Sequence, residues 1–83
     1  MYHLYILLCS DHSLYTGITK DIENRLKVHI SGKGSKYVKS RAPFRLVYQE
    51  RLNSKSSALK RELEIKSWSR EKKIEKLKLS LNI

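Results

Sequence analysis

Five scattered side chains carry the chemistry this sequence can offer: Tyr5 and Tyr15 in two short apolar runs, Arg25 and His29 four residues apart, and Glu62 among basic residues. Together they would suit the cutting of a phosphodiester with one divalent metal. A guanidinium fork can brace a phosphate where negative charge accumulates in the transition state. An imidazole can accept or relay a proton near neutral pH. A phenol ionises near pH 10 and needs cations or a metal nearby to act as a base at neutrality, and this chain supplies cations freely. A single carboxylate can anchor Mg²⁺ or Mn²⁺, which keeps several waters and fills its shell from substrate phosphate. Taken singly, each residue is ordinary: tyrosine favours sheets, and a glutamate flanked by Lys60, Arg61 and Lys66 suits helix salt bridges.

The elements that must position these groups follow from periodicity. Residues 3–9 and 14–19 are apolar and rich in Leu, Ile and Tyr, and Ser10, Asp11, His12 and Ser13 between them signal a hairpin. Its register decides whether the tyrosines cooperate, because a one-residue slip reverses the faces. A two-residue turn at Asp11-His12 would set Tyr15 opposite Leu8 and part the phenols. An odd-numbered loop or a bulge would set it opposite Leu7, diagonal to Tyr5.

Asp21 caps a helix expected over residues 21–31, with an apolar stripe of Ile22, Leu26 and His29 or Ile30. Arg25 and His29 then share a face, one turn apart. Ser31-Gly32-Lys33-Gly34-Ser35 ends the helix and opens a flexible basic loop reaching Pro43, with Tyr37 in its middle. The glycine pair follows a helix, not a strand, so it does not form a nucleotide-binding loop. Residues 44–50 alternate as a third strand, with Phe44, Leu46 and Tyr48 on one face and Arg45, Val47 and Gln49 on the other.

Asn53 or Ser54 caps a second helix carrying Ala58, Leu59, Leu63 and Ile65 or Lys66, to about residue 67. Glu62 and Glu64 on that helix cannot both face one site, and periodicity leaves either orientation open. Ser69 caps a third helix bearing Ile74, Leu77, Leu79 and Leu81, with Trp68 between the two as a core cap. The order is β-β-α-β-α-α, an α+β fold in one domain spanning 1–83, with a small antiparallel sheet.

A chain of 83 residues has a thin core. Its 40% hydrophobic and 31% charged content is that of a soluble globular protein. No apolar run approaches the roughly 20 residues that span a bilayer, and a cytoplasmic location is expected. One cysteine, Cys9, excludes an internal disulfide or a Cys-based zinc site and suits a buried thiol. The formal net charge is +10, and no acid occurs between Glu23 and Glu50, where Arg25, Lys27, Lys33, Lys36, Lys39, Arg41 and Arg45 all fall. Such a block is an electrostatic footprint for a polyanion, nucleic acid before membrane.

Several segments in this order resemble the GIY-YIG nuclease superfamily, in its small single-domain bacterial branch. They are His3-Leu4-Tyr5-Ile6-Leu7, Leu14-Tyr15-Thr16-Gly17-Ile18-Thr19, Asn24 to His29, Ser31 to Tyr37, and Ala58 to Lys66, within residues 3–78. The resemblance implies a three-stranded antiparallel sheet flanked by three helices, with Tyr5 and Tyr15 on one face. It implies that Tyr5, Tyr15, Arg25, His29 and Glu62 are catalytic, with Glu62 as metal ligand. In the superfamily's mechanism a tyrosine, assisted in some members by the neighbouring histidine, deprotonates a metal-associated water. That water attacks phosphorus in line, and the leaving oxygen is stabilised at the metal. The first motif has Leu4 where the family has glycine, the second has Thr16 where isoleucine is common, and Ile18 stands where some relatives carry lysine.

The expected activity is therefore a metal-dependent DNA endonuclease, weakly sequence-selective, directed by DNA structure and linked to repair or recombination. Lys27, Lys33, Lys36, Tyr37, Lys39 and Arg41 form the expected nucleic-acid-binding set. The alternative from another class is a non-catalytic nucleic-acid-binding module on the same fold. A third reading has Trp68 and the basic last helix docking on a larger repair or recombination protein.

Overall fold

A computed structural model describes residues 1–79. The strands β1 (Tyr2–Cys9), β2 (Leu14–Thr19) and β3 (Phe44–Leu52) form one antiparallel sheet in the order β2-β1-β3. Helices α1 (Ile22–Ile30) and α2 (Lys36–Ser40) lie between β2 and β3, and α3 (Lys55–Lys66) and α4 (Arg70–Leu77) follow the sheet. This is the expected β-β-α-β-α-α order with one short helix inserted in the basic loop.

β1 is central and buried on both faces, which accounts for its unbroken run of buried residues from Leu4 to Cys9. Leu4 and Ile6 point to one side and pack with Ile65 of α3, joined by Trp68 and Leu77. Tyr5 and Leu7 point to the other and pack with Val38 of α2, joined by Ile22 and Leu26 of α1. Burying these side chains supplies the favourable apolar term, roughly 1.5–3 kcal/mol for each large one. Cys9 is a buried free thiol, as expected. No helix among the described residues is long and apolar enough to cross a membrane.

Loop parity settles the hairpin. Cys9 N–H donates to the Ser13 carbonyl at 2.9 Å, leaving Ser10, Asp11 and His12 as the loop, and His12 takes a left-handed backbone with φ 67°. Such three-residue loops place their last residue in that conformation. Asp11 Oδ1 accepts from Ser13 N–H at 3.0 Å and stiffens the turn. Tyr15 consequently pairs with Leu7, and Tyr5 pairs with Gly17.

The expected alternation of β3 does not run its full length. The pairing with β1 shifts between Ile6, opposite Tyr48, and Leu7, opposite Leu46. That bulge at Val47 inserts one extra residue and inverts the faces beyond it. Phe44 and Leu46 therefore stay with Tyr5, whereas Val47, Tyr48 and Leu52 join the α3 side. There Tyr48 Oη donates to Glu50 at 2.5 Å, and Arg61 Nε of α3 pairs with Glu50 at 3.0 Å, tying strand to helix.

The basic loop is more ordered than its composition predicts. Ser35 Oγ accepts from Tyr37 N–H at 3.1 Å and starts α2, and fully buried Val38 anchors it beneath Leu7 and Tyr5. Each longer helix is capped where expected, by Asp21, Ser54 and Ser69. Trp68 packs between α3 and α4, with Arg61 and Lys72 over its ring. The last helix ends at Leu77, and Leu79 is buried just beyond it. Leu81 lies outside the described residues.

Candidate active site

Tyr5 is the centre of the polar set. It stands mid-strand on β1, only 2% exposed, and its ring reaches across β2 above Gly17. A Cβ at Gly17 would fall 2.6 Å from Tyr5 Oη and 2.7 Å from Cζ, so the strand accommodates this phenol only because residue 17 has no side chain. Tyr15 lies on the same sheet face, with ring centroids 6.3 Å apart.

Helix α1 brings His29 to the phenols. Of the two candidates for its last apolar position, His29 is buried and Ile30 is 75% exposed. His29 Nε2 lies 3.0 Å from Tyr5 Oη, and its ring is edge-on to Tyr5, Tyr15 and Phe44. Burial, then the nearby Arg25 charge, pushes the imidazole below its ordinary value of 6.5, leaving it neutral at pH 7. A neutral ring can take a proton from Tyr5 through Nε2 or donate one to it, according to tautomer.

The ionisation of Tyr5 departs from expectation. Burial raises its pKa far above the ordinary phenol value, Tyr15 and Glu62 add to the rise, and of the cations only Arg25 opposes it. The many lysines stay at the surface, where water screens them. Tyr5 is thus a phenol at neutral pH, with His29 Nε2 as the ring nitrogen that can exchange its proton.

Arg25, one turn before His29, is half-buried, and no ion pair or side-chain hydrogen bond ties up its guanidinium among the described residues. Its charge bears on both Tyr5 and His29. Glu62 approaches from α3, one turn before buried Ile65, with its side chain 17% exposed. It is the acid that bears on Tyr5. Glu64 is 55% exposed and holds Arg61 at 2.6 Å, away from this set. The orientation left open by periodicity is thereby resolved toward Glu62.

Two further contributors carry weak signals in the sequence. A Cβ at Gly34 would lie 2.6 Å from His29 Nδ1, so the glycine lets the basic loop close against the imidazole. That Nδ1 is buried without a hydrogen-bond partner among the described residues. The signal was a glycine in a loop with no nucleotide-binding context. Lys66 is the other, its Nζ 3.2 Å from Glu62 Oε2.

The basic set is arranged unevenly. Lys27, Lys33, Lys36 and Lys39 are exposed, with no ion pair among the described residues. Tyr37 is 37% exposed and extends the aromatic cluster, 5.9 Å from Tyr15. Arg41 is already engaged: its guanidinium lies 3.8 Å over the Tyr37 ring and its Nε pairs with Asp11 at 2.8 Å. It therefore braces Tyr37 against the hairpin loop.

Among the described residues no three His, Cys, Asp or Glu side chains gather into a metal cage. A hard divalent cation such as Mg²⁺ does not require one, since water and phosphate complete its shell. The Lys66 ammonium on Glu62 shows that this carboxylate accepts a cation. The residues present therefore fit such an ion. A cleft of about 350 Å³, lined by Leu8, Cys9, His12, Pro43 and Phe44, lies at the hairpin end. None of the five residues of the polar set lines it.

Residues 1–75 match the GIY-YIG catalytic domain. A UPF0213 protein of Staphylococcus saprophyticus is 56% identical over 73 residues, covering 88% of this chain and 89% of that protein. One of Staphylococcus aureus is 53% identical over 75 residues, covering 90% and 92%. The solution NMR structure of a UPF0213 protein from Bacillus halodurans superposes with a TM-score of 0.62 at 47% identity, covering 94% of this chain and 84% of that one. A solution NMR structure of an E. faecalis protein gives 0.68 at 37% identity, covering 93% and 82%.

Proposed function

Because this chain belongs to the GIY-YIG catalytic domain family, we propose that it is a metal-dependent endonuclease hydrolysing phosphodiester bonds in DNA. The observation that carries this reading is the Tyr5 Oη to His29 Nε2 contact of 3.0 Å beside the Arg25 guanidinium, which no ion pair ties up among the described residues. A pure binding module has no need to keep this polar set in register, still less to leave His29 Nδ1 buried without a partner among the described residues, which costs stability unless function retains it. Tyr5, Tyr15, Arg25, His29 and Glu62 are the catalytic set in this proposal.

Arg25 braces the scissile phosphate, where its charge meets the developing negative charge. Tyr5 holds and passes a proton at Oη, and His29 Nε2 is the partner for that proton. Tyr15 narrows the approach from the β2 side. Glu62 would hold Mg²⁺ or Mn²⁺, and the ion would supply Lewis acidity at the phosphate oxygens. Lys27, Lys33, Lys36 and Lys39 contact the DNA backbone, Tyr37 lies at the site's edge, and Arg41 acts mainly by holding Tyr37 in place.

Backbone contacts position a substrate without reading its sequence. Low sequence selectivity follows, with discrimination resting on DNA structure such as flaps, branches or single strands. That profile suits a cytoplasmic enzyme of repair or recombination, with a larger protein of that machinery as partner.

The test is cleavage of branched and single-stranded DNA with Mg²⁺ or Mn²⁺ by the wild type, Glu62→Ala and Glu64→Ala. Wild type and Glu64→Ala should cut, and Glu62→Ala should not. Binding without cleavage of any substrate would favour the non-catalytic module instead.

A further inference from the structure

Lys66 stands outside the catalytic set, yet it touches the residue proposed to hold the metal. The two are four apart on α3, and Lys66 Nζ lies 3.2 Å from Glu62 Oε2. Two of the other ion pairs described hold elements together, Arg61 joining α3 to β3 through Glu50 and Arg41 joining the end of α2 to the hairpin loop through Asp11, while Glu64 pairs with that same Arg61. Lys66 joins nothing distant. It neutralises one carboxylate on its own helix, in an arrangement worth at most a few tenths of a kcal/mol to the helix.

The two side chains differ in freedom. Glu62 is held at 17% exposure, whereas the Lys66 side chain is 51% exposed on a flexible stem and ends in a point charge that tolerates many geometries. A divalent cation on Glu62 would repel that ammonium at once, since like charges a few ångströms apart interact strongly even near a surface. The neighbour identified for it on α4 is another cation, Lys73. A phosphate beside Glu62 is then the natural anion for Lys66.

Resting on the nuclease reading above, we propose that Lys66 is a placeholder cation. It occupies the Glu62 carboxylate in the metal-free protein and moves to the DNA backbone when a divalent ion takes that carboxylate. Metal loading thereby adds a phosphate contact on the α3 side of the site, opposite the basic loop. Substrate and metal binding are coupled through one lysine.

The coupling gives Lys66→Met two opposed effects that a merely structural lysine would not produce. The free variant should bind Mn²⁺ about twofold more tightly, the scale of removing such an i, i+4 ion pair that competes for the ligand. Its binding to a labelled oligonucleotide should match wild type in EDTA. With Ca²⁺ present and the oligonucleotide verified intact, it should be weaker, with a salt slope lower by about one phosphate contact. Lys60→Met, on the same helix and without an ion pair among the described residues, serves as the control and should show neither an effect on metal affinity nor a metal-dependent loss.

Manganese binding is read by electron paramagnetic resonance on the intact chain, with Glu62→Gln as reference. Unchanged or weaker Mn²⁺ affinity in Lys66→Met, in a protein whose binding is lost in Glu62→Gln, would overturn the placeholder role and leave the nuclease reading standing. Mn²⁺ binding that survives Glu62→Gln, or is absent from both wild type and Lys66→Met, would overturn both.

Discussion

Gly17 sits directly opposite Tyr5 across the β1–β2 pairing, and a Cβ there would come within 2.6 Å of the phenol oxygen. The glycine has an ordinary backbone conformation, so alanine would be tolerated by the chain itself and the cost is steric. Gly17→Ala should destabilise the fold by about 1–3 kcal/mol, as overpacking does, and push Tyr5 Oη off His29. Urea unfolding checks the first effect. Cleavage assays at a temperature where the variant is folded check the second, with a loss of about tenfold or more expected for an ångström-scale misplacement.

Gly34 does for His29 what Gly17 does for Tyr5. Its substitution by alanine would set a methyl 2.6 Å from Nδ1, and the loop, being at the surface, can give way where a strand cannot. Gly34→Ala should therefore cost little stability yet lower cleavage severalfold by tilting the imidazole. Gly32→Ala is the informative contrast. Its added Cβ meets nothing closer than 3.6 Å, but its φ of +79° disfavours any side chain, so it should lose stability through backbone strain. Thermal melts and cleavage rates of the two variants should rank in opposite orders.

Much of this arrangement was legible in the sequence because local rules agreed with the tertiary outcome. Asp21, Ser54 and Ser69 cap their helices through side-chain oxygens, as their types require. Arg25 and His29 had to share a face once the helix existed. What could not be read depended on single backbone states. Whether Tyr15 faces Tyr5 turns on His12 adopting φ 67°, and the same four loop residues could have closed a two-residue turn. Tyr48 left the Phe44 face because of one bulge that periodicity does not announce. The α2 helix hides in a basic loop with Val38 as its single buried residue. Tyr5's raised pKa comes first from burial, which the count of lysines cannot reveal.

Thr16 offers a stability test separate from catalysis. It is 3% exposed on β2, and its Oγ1 is buried without a hydrogen-bond partner. An unpaired buried hydroxyl costs roughly 1–3 kcal/mol, and an apolar isostere removes that cost without changing shape. Thr16→Val should raise stability by about 1 kcal/mol in urea unfolding, with cleavage unaltered because the side chain faces away from Tyr15. A destabilised variant would mean that the hydroxyl has a partner in solution.

His29 gives the fold a pH dependence of defined sign. Burial, then Arg25, lowers its pKa in the native state below the ordinary 6.5. In the window between that lowered value and 6.5 the unfolded chain binds a proton that the native chain does not. Stability must therefore fall as pH drops from 6.5 through this window, and be fully present above it. Carboxylates held low by hydrogen bonds, such as Asp11, act only in a lower range, below 3.8. His29→Tyr removes the titrating group while keeping an aromatic ring beside Tyr5. Urea unfolding of both proteins across pH should show the wild type losing stability relative to the variant as pH falls below 6.5. A difference that stays flat would mean that the site leaves the imidazole unshifted, and one that reverses would mean that it stabilises the imidazolium, so that Tyr5 faces a donor instead of an acceptor.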